Sequence, residues 1–310
     1  MALDEATVGF LTQLAEGGAR PLDELTPEEA RGFMAMLGDL SGPGPEVERA
    51  YDVELAAADG GSFTVRVLVP AGDIRALVVY YHGGGWVIGN IDEYDNLART
   101  LANSLHAAVI NVDYRLAPEH RYPAAADDAW TALQWAQTEA AEIAGGPVPL
   151  IVMGDSAGGN LSAVVAQKAR DTGGPELAAQ VLIYPVTDAD LDNDSYTDPA
   201  NQLMLTREGM IWFWDHYAPD LASRANPDAS PLQAADFAGL PPTIVVTAEH
   251  DVLREEGEAY AERLRAAGVP VVHRRFPGQM HGFFPMVNVL PGSADAIAYI
   301  TEQLGHQIGA

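Results

Sequence analysis

The chain has 310 residues, 48% hydrophobic and 20% charged, which is enough for one large globular unit or two average domains. It has no cysteine, which excludes disulfides, thiolate chemistry, iron–sulfur clusters and thiolate zinc sites. A net charge of −27, with Lys168 the only lysine, argues against nucleic acid and anionic membrane surfaces as partners, because phosphate contacts need basic side chains.

The opening "MALDEATVGF" has no basic segment ahead of an apolar run, so it does not read as a signal peptide. No stretch approaches the ~18 apolar residues of a membrane span, and a cytoplasmic location is expected. Residues 3–17 and 27–40 have helical spacing, the second opening on Thr26-Pro27 with Glu29 placed for a capping box. "SGPGP" (41–45) breaks the chain. Residues 47–58 and 62–69 alternate around Asp59-Gly60-Gly61, a hairpin pattern. The short Val- and Ile-rich runs at 76–81, 107–114, 150–154, 180–185 and 242–249 then read as strands buried on both faces. Helical segments near 92–105, 123–144, 157–170, 206–217 and 253–267 alternate with them, which implies parallel strands with right-handed crossovers. A late strand (270–278) and a closing helix (293–304) complete the order. Residues 188–230 break the rhythm: a polar, turn-rich stretch leads into the aromatic "REGMIWFWDHY".

Two motifs carry chemistry. Gly154-Asp155-Ser156-Ala157-Gly158 matches the nucleophile elbow G-x-S-x-G, after a predicted strand and before a predicted helix. Its small residues suit a turn on which larger side chains would strike neighbouring backbone. The following helix aims its N-terminus at any anion formed there. His82-Gly83-Gly84-Gly85-Trp86 follows the strand 76–81, and three glycines let backbone N–H groups approach a substrate closely, as an oxyanion hole requires. A serine hydroxyl needs a base. Of eight histidines, His281 in "GQMHGFFP" lies beyond the last strand and satisfies the chain order Ser, acid, His; His250 competes. His82 reads as bracing the glycine loop. Among Glu249, Asp251, Glu255 and Glu256, Asp251 sits just past a strand end, whereas Glu255 and Glu256 suit the first turn of a helix. Asp155 reads as a structural hydrogen-bond acceptor.

The pieces "HGGGW" (82–86), "DYRLAPEHRYPAAADD" (113–128), "GDSAGGNL" (154–161), "DVLREEG" (251–257) and "HGF" (281–283) together resemble the microbial hormone-sensitive-lipase family of α/β-hydrolases, carboxylesterases with a Gly-Asp-Ser-Ala-Gly elbow. The resemblance implies an α/β-hydrolase fold: a mostly parallel eight-stranded sheet flanked by helices, in a single domain over 1–310, with a helical cap from 1–45 and 188–225. It implies a triad of Ser156, Asp251 and His281, with oxyanion donors at Gly84, Gly85 and Ala157. Arg115 and Glu119 of "DYRLAPEH" read as braces of the oxyanion side.

A cofactor-free, metal-free serine carboxylesterase acting on small-molecule esters is therefore expected, as a monomer or homodimer. The rivals are a non-catalytic ligand-binding protein on the same fold, and an amidase or acyltransferase using the same triad. Trp86, Trp212 and Phe213 are expected to face the substrate, and the bulk of such aromatics implies short acyl chains. The acidity fits ordinary solubility, a genome favouring Arg and Ala codons, or adaptation to high salt, where self-repulsion is screened.

Overall fold

In the computed structural model of the protein, which describes residues 2–308, the apolar runs form the middle of one eight-stranded sheet. Met1, Gly309 and Ala310, at the ends of the expected domain, lie outside the described residues. The strands are β1 (Arg49–Ala56), β2 (Ser62–Val69), β3 (Ala76–Tyr81), β4 (Ala107–Asp113), β5 (Leu150–Asp155), β6 (Ala179–Ile183), β7 (Thr243–His250) and β8 (Val271–Met280). Their order across the sheet is β1-β2-β4-β3-β5-β6-β7-β8. The pairs β1–β2 and β2–β4 are antiparallel, and every other pair is parallel.

The helices are α1 (Glu5–Glu16), α2 (Pro27–Leu40), α3 (Asp95–Leu105), α4 (Ala124–Ala144), α5 (Ala157–Thr172), α6 (Asp194–Thr197), α7 (Arg207–Tyr217), α8 (Leu221–Arg224), α9 (Arg254–Ala266) and α10 (Pro291–Ile308). Every residue of β3, β5 and β6 is buried, as continuous apolar strands between two helical layers must be. Successive residues alternate between those layers. Leu77, Val79 and Tyr81 join the core that α4, α5 and α9 cover, while Ala76, Val78 and Tyr80 join the one that α3 and α10 cover. Among the described residues no helix is long and apolar enough to cross a membrane.

α3 begins at Asp95, not near 92, because Asn90 holds the chain in a turn: its Oδ1 accepts from the N–H groups of Asp92 (2.9 Å) and Glu93 (3.0 Å). The capping box at α2 forms as expected, with Thr26 Oγ1 accepting from Glu29 N–H and Glu29 Oε2 from Thr26 N–H. The N-terminal helices and the 188–230 insertion meet over one end of the sheet. There α7 packs on the turn Leu22–Glu24, and Trp212 Nε1 donates to the Leu25 carbonyl at 3.1 Å.

The tightest backbone approach lies where β5 turns into α5. A Cβ on Gly158 would fall on the carbonyl of Tyr81 in β3, and one on Gly154 would fall on Gly158 itself. Gly9, by contrast, is exposed in the middle of α1 with nothing near its missing Cβ. Gly158→Ala is therefore expected to destabilise the protein by roughly 3 kcal/mol through overpacking. Gly9→Ala is expected to stabilise it by about 0.5–1 kcal/mol through helix propensity. Denaturant unfolding of the two variants beside the parent measures both; equal effects would contradict this account of the turn.

Candidate active site

The strand–turn–helix at β5 and α5 puts Ser156 in a conformation that few side-chain-bearing residues adopt, with φ 55° and ψ −117°. Its backbone is fixed on both sides: its N–H donates to the Ile183 carbonyl at 2.8 Å, and its carbonyl accepts from Asn160 (3.0 Å) and Val186 (3.1 Å). The hydroxyl is thereby held at the rim of the sheet, where the loops after β7 and β8 also arrive.

Those loops bring the expected partners. His281 Nε2 lies 3.1 Å from Ser156 Oγ, and His281 Nδ1 lies 2.8 Å from Asp251 Oδ2. A carboxylate can only accept, so Nδ1 carries the proton and Nε2 is left to accept from the serine hydroxyl. Asp251 is fully buried, and its Oδ1 accepts from Leu253 N–H at 2.9 Å, which fixes the carboxylate plane. The Tyr184 ring packs against the imidazole with centroids 4.6 Å apart. His281, not His250, is the imidazole within hydrogen-bonding distance of the serine; His250 sits 3.9 Å from Glu249 at the end of β7.

The glycine loop faces the serine from the end of β3. Gly84 and Gly85 have φ of 108° and 56°, a region that side chains disfavour. The Gly84 carbonyl accepts from Val87 and Ile88 N–H, both at 3.0 Å, which curls the loop. The N–H groups of Gly84, Gly85 and Ala157 make no hydrogen bond among the described residues. His82 braces the loop as expected: its Nδ1 lies 2.7 Å from the Gly83 carbonyl, and its ring stacks on Tyr114 at 4.3 Å. Burial pushes the His82 pKa down to about 4, so the ring is neutral.

Asp155 joins loop and elbow. Its Oδ1 accepts from Tyr80 hydroxyl (2.7 Å) and Gly83 N–H (2.9 Å), and its Oδ2 from Tyr94 hydroxyl (3.3 Å). Complete burial pushes its pKa up to about 6, against the pull of those donors and of nearby His281. Arg31 of α2 braces the far side. It donates to the carbonyls of Val87 (2.9 Å) and Ala117 (3.0 Å) and pairs with both oxygens of Glu119. Arg115 pairs with buried Asp128 and with Asp59.

A cavity of about 130 Å³ opens onto Ser156 and His281. Its walls come from the glycine loop, from Leu22, Phe33, Met34 and Leu37 on the N-terminal side, and from Met204, Leu205, Met210 and Phe213 of the insertion. Phe213 takes the wall position expected of it, lying where a side chain on Gly85 would be. Trp86 and Trp212 do not, and that expectation is corrected. Trp86 turns away at φ 61° and is buried flat against Tyr217, centroids 4.2 Å apart, beside Trp214. Trp212 is not part of the cavity wall and anchors the N-terminal segment through Leu25. Neighbouring positions on a helix point about 100° apart, so Trp212 turns away as Phe213 turns in.

Glu256 stands in the first turn of α9 as expected, but it is also buried, and its Oε1 accepts from Thr187 (2.7 Å) and Asp188 (3.4 Å) N–H. It ties the helix after Asp251 to the root of the insertion. Neither this role nor that of Tyr184 has a local sequence signal, since each depends on a segment some seventy or more residues away.

Residues 78–285 match the family described as alpha/beta hydrolase fold. The carboxylesterase NlhH of Mycobacterium tuberculosis is 48% identical over 227 residues, covering 72% of this chain and 71% of that protein. An ethyl acetate hydrolase of Pseudomonas putida is 34% identical over 317 residues, covering 98% of this chain and 99% of its own. Among solved structures, an ester hydrolase from the metagenome of Lake Arreo, in complex with a bipyridine phosphonate derivative, superposes with a TM-score of 0.92 at 38% identity, covering 99% of this chain and all of that one. An esterase of the archaeon Pyrobaculum calidifontis superposes equally well, with a TM-score of 0.92 at 36% identity over 100% of both chains.

Asp155 has a testable consequence for stability. Its carboxyl binds a proton more tightly folded (about 6) than at the ordinary value of 3.8, so the folded state holds more protons between those values. Its contribution to stability therefore falls as pH rises through that window. Thermal unfolding of the parent and Asp155→Asn from pH 4 to 7 should show their difference moving toward the variant up to about pH 6 and then levelling. A difference constant across the range would contradict it.

Proposed function

Because the chain belongs to the α/β-hydrolase fold family, in its hormone-sensitive-lipase branch, and is a serine carboxylesterase, we propose that Ser156, His281 and Asp251 are its catalytic triad and that Gly84, Gly85 and Ala157 supply its oxyanion hole. The observation that carries this assignment is the unbroken hydrogen-bond line from buried Asp251 through His281 to Ser156, beside three unused N–H groups.

In this reading the Ser156 hydroxyl gives its proton to His281 Nε2 as Oγ attacks the ester carbonyl. The carbonyl oxygen becomes an oxyanion, and the N–H groups of Gly84, Gly85 and Ala157 donate to it. Asp251 holds the tautomer and stabilises the imidazolium. The imidazolium then protonates the alcohol oxygen as the carbon–oxygen bond breaks, leaving an acyl group on Ser156. Water, deprotonated by His281, attacks that acyl group, and collapse of the second tetrahedral adduct releases the acid and returns the proton to Oγ. The substrate is a small-molecule ester. No observation favours a non-catalytic binding protein, an amidase or an acyltransferase. The reading places the chain in the cytoplasm as a monomer or homodimer.

Residues 1–45 and 188–225 act in this reading as a cap, the source of the cavity's apolar walls. The bulk of Phe33, Met204, Met210 and Phe213 shortens the space for an acyl chain, and each methylene left outside forfeits ~0.8 kcal/mol of burial. A preference for acyl chains of about two to eight carbons follows. The Pseudomonas relative named for ethyl acetate supports the short end of that range.

Ser156→Ala and His281→Ala are each expected to remove nearly all turnover of an aryl acetate, and the double variant little more, because the residues act as a unit. Asp251→Asn should lower kcat on the order of 10⁴ by favouring the wrong tautomer. Steady-state kinetics with circular dichroism as a folding control checks all four; a variant with near-parental turnover refutes its residue's role. For chain length, kcat/KM across aryl esters from acetate to palmitate should peak at the short end. A maximum at palmitate, with a jump above its micelle concentration, would overturn the reading of the cap.

A further inference from the structure

One carboxylate on the cavity wall has no part in the proposed chemistry. Glu93 stands beside Gly38, Ile88 and Tyr94 there, and its other side borders a shallow outer cleft formed with Arg31, Asn90, Glu119 and His120. It lies close against α2, where Gly38 leaves room for it; a Cβ on Gly38 would come within 3.3 Å of the Glu93 stem. Asn90 grips it at both ends, donating from Nδ2 to Oε1 at 2.8 Å and accepting from the Glu93 N–H at 3.0 Å. Oε2 is shielded from solvent and makes no hydrogen bond among the described residues.

Among the described residues no cation satisfies that oxygen. Arg31, across the outer cleft, is engaged by Glu119 and two carbonyls, and Arg66 and Arg99 are held by Asp52, Asp92 and Asp95. Asp92 in the same turn and Asp113 at the end of β4 repel a charge on Glu93, and His120 contributes no hydrogen bond to it. Burial, reinforced by those two aspartates and opposed by Asn90, pushes the Glu93 pKa up to about 7. The surrounding wall of Phe33, Met34, Leu37 and Met204 offers only apolar contact.

An acceptor left unpaired in such a wall discriminates strongly between a ligand that brings a donor and an isostere that does not. The terminal torsion of a glutamate is broad and soft, so the carboxylate turns toward a donor without leaving its rotamer. We propose that Glu93 is a specificity-determining residue, which selects esters carrying a hydroxyl or ammonium group by accepting its hydrogen bond inside the cavity. The proposal rests on the esterase reading and adds a substrate class to it.

Two isosteric pairs test it, each exchanging one methyl for a hydroxyl: propyl butanoate against hydroxyethyl butanoate on the alcohol side, and ethyl isovalerate against ethyl β-hydroxybutyrate on the acid side. The readout is the ratio of kcat/KM within a pair, in which the titration of the triad cancels. In the parent, at least one ratio should favour the hydroxy ester, and Glu93→Leu should shift that ratio roughly ten- to a hundredfold toward the methyl ester. The parent ratio should rise as pH increases through about 7, because the ionised carboxylate accepts more strongly and is left desolvated and unpaired against a methyl group. Glu93→Gln keeps the shape but cannot ionise, and its ratio should be flat with pH. Both ratios unchanged in Glu93→Leu, or a pH-dependent ratio surviving in Glu93→Gln, would overturn the proposal. Parent activity on the two methyl-bearing esters reports the esterase reading by itself, and its absence would overturn both.

Discussion

The site depends on one close contact between backbones. Gly158, at the start of α5, lies so near the Tyr81 carbonyl at the end of β3 that no side chain fits between them. That contact brings the Ser156 turn against the strand from which the glycine loop departs. It forces Ser156 into a conformation that a chain adopts only when its surroundings fix it, here through Ile183, Asn160 and Val186. Asp155 converts the proximity into a defined geometry, since one buried carboxylate receives donors from β3, the glycine loop and the turn before α3. The glycine loop and the Ser156 turn are thus held by the same group, and the cost is a carboxylate in an environment that disfavours its charge.

The outer parts of the site are held by polar anchors from distant segments. Arg31 ties α2 to the loop carrying Val87 and to Glu119, and Glu256 ties the helix after Asp251 to the root of the insertion. Trp86 serves the same end by packing, its ring flat against Tyr217 of α7. Each anchor joins a segment next to the proposed site to the N-terminal helices or the insertion.

The sequence was most informative where local rules act. Buried strands revealed themselves as Val- and Ile-rich runs, and the elbow as a cluster of residues too small for an ordinary loop. The capping box at Thr26 and the choice of His281 over His250 likewise followed from spacing and chain order. It was least informative where side-chain direction decides. Trp86 directly follows the glycines, yet positive φ at that position sends its ring into the core. Trp212 and Phe213 are adjacent, so the helix itself separates their faces. Glu256 is legible as a helix-start acid, but not its burial, because its partners at Thr187 and Asp188 lie far away in the chain. Glu93 carried no motif at all, and only the approach of α2 makes it part of a cavity wall.

The central claim is that Ser156 alone among the serines is activated for acyl transfer. It is tested most directly by treating the folded protein with one equivalent of a fluorophosphonate ester and mapping the adduct by peptide mass spectrometry. The account predicts one phosphonyl group per chain, on Ser156, with labelling abolished in His281→Ala. Labelling of the folded protein at another residue, or none at Ser156 while ester hydrolysis continues, would contradict it.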